Sequence, residues 1–103
     1  MKYLIRCAHL ENGKYYSKEV EAKPLIIPGF EQVQLFVFND GSEGYSTWNV
    51  SEVTTGLAII RDGDCICTKK GAIARATKKL QNNGLQVVLD AIASCTPVKD
   101  LPK

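Results

Sequence analysis

No apolar run in this 103-residue sequence approaches the ~20 residues that a membrane-spanning helix needs. The first residues, MKYLIRCAHLENG, hold two basic residues and no long apolar stretch, so no secretion signal is expected and the expected address is the cytosol. Eight glycines and four prolines are too few for a disordered or collagenous chain. No phosphate-cradling G-x-x-x-x-G-K or G-x-G-x-x-G occurs. There is one histidine, so any Ser–His or Cys–His dyad must use His9, and no Gly-rich oxyanion loop accompanies it. An enzyme is not expected.

What remains is 45% apolar and 23% charged residues with a net charge of +2, which describes one compact domain over residues 1–103. A chain this long buries roughly two-thirds of its unfolded surface and folds without staples. Residues 2–10 and 14–22 read as a hairpin, with Asn12-Gly13 as its tight turn. Tyr3, Ile5, Cys7 and His9 share one face of the first run, and Ser17, Glu19 and Glu21 make one face of the second polar. Residues 23–29 read as a loop because Pro24 and Pro28 each remove a ladder donor. Residues 30–67 read as a meander. Its strongest strand is 30–39, with Val33, Leu35 and Val37 on one face and Phe36 and Phe38 on the other, which places it centrally. Strands at 45–53 and 57–61 follow, separated by turns.

Two helices close the chain. Thr68 is the expected N-cap of residues 69–82, and Gly84 the expected terminator. Residues 85–95 place Leu85, Val88, Leu89 and Ile92 on one stripe, while Val87 and Ala91 add a second apolar strip that predicts cover on two sides. The tail 96–103 reads as frayed or extended. Strands first and helices last predict an α+β fold: an antiparallel sheet of four to five strands with two C-terminal helices packed on one face.

Charge is segregated along the chain. Residues 69–79 carry Lys69, Lys70, Arg75, Lys78 and Lys79 with no acidic residue. Residues 24–64 carry Glu31, Asp40, Glu43, Glu52, Asp62 and Asp64 against Arg61 alone. Like charges at i,i+4 cost a few tenths of a kcal/mol per pair. The basic helix therefore either meets an anionic partner or is a solubilising face balanced by the chain's own acidic segment. Four cysteines in a cytosolic chain are not expected to pair as disulfides. Cys7 and His9 share one strand face and Cys65 and Cys67 another, a Cys3His set that suits structural zinc if those strands are neighbours. The alternative is that free cysteines are simply buried, and Cys95 reads as core. Tyr15 and Tyr16 point to opposite faces, so at least one is expected to be exposed as an interface anchor.

Strands followed by TKKGAIARATKKL resemble, over roughly residues 30–80, the second half of a double-stranded RNA-binding domain. The matching positions are Thr68, Lys69, Lys70, Ala72, Ala76 and Leu80. The resemblance implies that Lys69 and Lys70 touch phosphates, helped by the helix N-terminus. In general character the chain also resembles the small accessory proteins of phages and mobile elements, including CRISPR–Cas inhibitors. That likeness rests on one short domain, segregated charge and no catalytic constellation. It implies a protein partner such as a host nuclease, with the acidic residues mimicking phosphates or the basic helix docking an acidic patch. The expected function is thus stoichiometric binding, with nucleic-acid binding through 69–79 and a zinc-stabilised module as alternatives.

Overall fold

The computed structural model describes residues 1–8, 11–40, 47–60 and 68–102. β1 (Lys2–Ala8) and β2 (Tyr15–Glu21) pair as an antiparallel hairpin. β3 (Lys23–Leu25), β4 (Leu35–Asp40) and β5 (Thr47–Glu52) form a second antiparallel sheet with β4 in the middle. α1 (Lys69–Asn83) and α2 (Leu85–Ser94) follow. The fold is α+β, with five strands divided between two sheets.

The alternation along β4 explains the layering. Leu35 and Val37 join Val50 and the helix residues Ala72, Ala76, Leu80 and Val88 in one core. Phe36 and Phe38 point the other way and meet Tyr3, Ile5 and Val20 of the hairpin. Tyr3 stacks on Phe36 with ring centroids 4.5 Å apart and planes 4° from parallel. The order is therefore hairpin, sheet, helices, and β4 is buried on both faces as its sequence predicts.

Several expectations give way to local physics. Residues 23–25 pair with β4 instead of looping, since a proline is tolerated on an edge strand where its missing N–H faces away from the ladder. Residues 30–33 form turns, with Phe30 N–H donating to Ile27 and Val33 N–H to Phe30, both at 2.9 Å. Phe30 and Val33 are buried all the same, so their apolar pattern records the core rather than a strand. Residues 57–60 hug β5 through one bridge, Ser51 to Ala58, without forming a named strand. The hairpin register pairs Ala8 with Tyr15, which centres its turn one residue earlier than Asn12-Gly13.

The tail is docked, not frayed. Val98 is buried and its N–H donates to Thr54 at 2.9 Å, while Ser17 N–H donates to Pro102 at 2.7 Å. Ser17, expected on a solvated face, is buried beneath it. Arg6 fastens the same corner by donating from Nε to the Thr55 carbonyl at 3.1 Å and from its guanidinium to the Thr96 carbonyl. Its charge also lies 5.0 Å from the Tyr15 ring centroid.

Candidate interaction surface

α1 begins where the sequence predicts. The Thr68 hydroxyl accepts from Gly71 N–H at 3.0 Å, and Gly84 closes the helix with a φ of 85°. Ala72, Ala76 and Leu80 are buried against the sheet. Small alanines let the helix approach closely, so its opposite side is left for solvent. Lys70, Arg75 and Lys78 are exposed there, and Lys79 is half-buried at one flank. Among the described residues neither Lys70 nor Lys78 has an ion-pair partner; the salt bridges seen join the N-terminus to Glu21 and Lys2 to Glu19 on the hairpin. Lys69 departs from this group. It is half-buried on the sheet side and lines a cleft with Lys23, Asn39 and Trp48.

Of the acidic set, Glu31 and Glu52 have described side chains, and the two play different parts. Glu31 is exposed, and hydrogen bonds from its own N–H and that of Gly29 hold its carboxyl below the usual carboxylate range. Glu52 is 2% exposed. Its carboxylate accepts from Thr54 N–H, from Thr55 N–H at 2.9 Å and from the Thr55 hydroxyl at 2.9 Å. That pattern organises the turn after β5. Asp40 ends β4, paired with Thr47. Glu43, Asp62 and Asp64 lie outside the described residues.

Of the expected zinc ligands only Cys7 is placed; His9, Cys65 and Cys67 also lie outside the described residues. Cys7 is a free, half-buried cysteine opposite Tyr16, whose phenol is raised above its ordinary range first by electrostatic interaction with Cys7 and then by burial. Among the described residues no three His, Cys, Asp or Glu side chains converge on a common point.

One feature escaped the reading of individual motifs. α2 buries Val88 and half-buries Leu85, Leu89 and Ile92, but Val87 remains 59% exposed and Ala91 is exposed beside it. The second strip is therefore open where cover on two sides was expected. It borders a groove of about 550 Å3 between the C-terminal half of α1, α2 and residues 57–59. Ile59, Leu80, Val88 and Ile92 floor it, Lys79, Asn82 and Asn83 supply its polar rim, and Glu52, 2% exposed, also lies in its lining. The signal for it was already present in the spacing of Val87 and Ala91.

No helix among the described residues is long and apolar enough to cross a membrane. No family model, curated protein or solved structure matches this chain.

Proposed function

We propose that this chain is a non-enzymatic binding protein that meets an acidic protein surface with its helical layer. The observation that carries the reading is the exposure of Lys70, Arg75 and Lys78 on the outer side of a helix whose inner side is buried. A uniformly basic face repels itself and gains from an anionic partner. The apolar groove beside it favours a protein over a nucleic-acid backbone, because phosphates offer nothing to Val87 or Ile92. In its finer form the proposal is an inhibitor encoded by a mobile element, acting in the cytosol by occupying a surface of a host nuclease such as a CRISPR–Cas effector. Small size and segregated charge support that form. In that form the helix is the contact, and Glu52 takes no part because its carboxylate is held by its own turn.

A second reading is double-stranded RNA binding, favoured by a three-stranded antiparallel sheet leading into a Thr-capped helix with Lys70 exposed near its start. The placement of Lys69 on the sheet side weighs against it.

A tagged pull-down from host lysate, with and without nuclease, separates the two. The proposal expects a protein retained after nuclease treatment and lost when Lys70, Lys78 and Lys79 are changed to Glu. Unchanged capture by that variant removes α1 as the contact. Nucleic acid retained, with binding that weakens steeply as salt rises, would favour the second reading.

A further inference from the structure

We propose that the groove between α1, α2 and residues 57–59 receives an acidic amphipathic helix from the partner. This rests on the reading of the helical layer as the contact surface and states what the partner must present. Three observations converge on it. The groove has an apolar floor, and it opens beside Val87 and Ala91, a strip that α2 leaves uncovered. Its two long walls are helices, whose main-chain groups away from the ends are paired within each helix. A strand laid between them would bury unpaired N–H and C=O groups at about 1–3 kcal/mol each. A helix brings its backbone bonds with it and offers apolar side chains at i, i+3, i+4 and i+7.

Charge sets the sign of the occupant. α1 carries five basic residues and no acid, while Asp90 is the single charged residue of α2 and accepts a 2.8 Å hydrogen bond from Gln86. Lys79 stands on the groove rim, and the carboxylate in the lining, Glu52, is 2% exposed and already accepts hydrogen bonds from Thr54 and Thr55. Carboxylates flanking the apolar stripe of the incoming helix therefore meet a positive field, and lysines there would be repelled.

The test is selection from a displayed library of helical peptides against the full chain, followed by titration of the enriched synthetic peptide into isotope-labelled protein. The proposal expects enriched sequences with apolar residues at helical spacing and Asp or Glu on the flanks. It expects amide shifts centred on Leu80, Val87, Val88 and Ile92, and at least a tenfold loss of affinity in Val87→Asp. Because Val87 is exposed, that variant should keep the parent melting temperature. Ala91→Asp serves as the second variant if it does not. Enrichment of basic or uncharged peptides, no enrichment, or binding indifferent to both substitutions overturns the proposal. So does a dimer of this chain that Val87→Asp dissolves, since the groove would then belong to a second copy. Loss of peptide binding on Val87→Asp, with lysate capture untouched by Lys70→Glu and Lys78→Glu, would sink the basic-face reading and leave the groove standing.

Discussion

Gly56 sits where three parts of the chain meet, and replacing it with alanine tests the packing of the whole hairpin. Its φ is 69°, and an added Cβ would lie 2.8 Å from Arg6 N, 2.9 Å from Val98 Cγ2 and 3.1 Å from the Ile5 carbonyl carbon. Two of those neighbours are β1 backbone and cannot rotate away. Gly56 O also accepts from Arg6 N–H at 3.1 Å, so any retreat stretches that bond. The left-handed backbone costs a non-glycine residue about 1–2 kcal/mol. Overpacking adds about 1–3 kcal/mol, giving roughly 2–5 kcal/mol from a total near 5–15 kcal/mol. Gly13 is the internal control. It has the same φ of 69° with nothing within 4 Å of its added Cβ. Gly13→Ala should therefore show the backbone component alone, about 1–2 kcal/mol. Urea denaturation of both variants, read by linear extrapolation, measures the difference. Equal losses in the two variants would refute the claim that β1 and the tail press on Gly56.

Three further outcomes concern other parts of the chain. Glu31 has its folded pKa lowered by backbone N–H groups, so its stabilising effect is present above the ordinary range near 4.5 and fades as pH falls through the folded value; Glu31→Gln should flatten the acid limb of a stability–pH profile, and an unaltered limb would contradict those hydrogen bonds. Ending the chain after Thr96 removes buried Val98 and the Ser17–Pro102 bond. About 2 kcal/mol from the lost side-chain burial corresponds to roughly 8–16 °C in melting temperature, and an unchanged melting curve would mean that the tail does not dock. The zinc alternative requires one metal per chain and a lower melting temperature after chelation; metal-free protein with an unshifted melt removes Cys7, His9, Cys65 and Cys67 as ligands.

Elements governed by near neighbours were legible in the sequence. Thr68, Gly84 and the helical spacing of Ile73, Ala76 and Leu80 place α1 to within a residue, because capping and periodicity are local, although the buried stripe turns out to run through Ala72 with Ile73 at its flank. Leu35 to Phe38 gave away a strand buried on both faces. Residues that depend on distant partners were not legible. Phe30 and Val33 are apolar because they enter the core from turns, which periodicity alone reads as a strand. Pro24 lies in a strand because β4 supplies the partner and the edge supplies the freedom. The tail looked frayed because nothing in its composition announces Thr54 or Ser17 as its hydrogen-bond partners. On the candidate surface, helical spacing separated Lys70 and Lys78 from the core. It did not place Glu52, whose carboxylate is taken by the backbone two and three residues on.

Both described ends of the chain are tied to one strand. The N-terminal ammonium lies 2.8 Å from a Glu21 oxygen, and Pro102 accepts from Ser17. Those β2 residues are separated by about 13 Å of extended chain. They also belong to the layer on the far side of the three-stranded sheet from the helices. A label, a tether or an additional domain joined at either end therefore leaves from the back of the molecule and keeps α1 and α2 unobstructed. A short peptide could join the two ends outright, and new termini could then open at the Gly13 turn without cutting any strand that supports the helices.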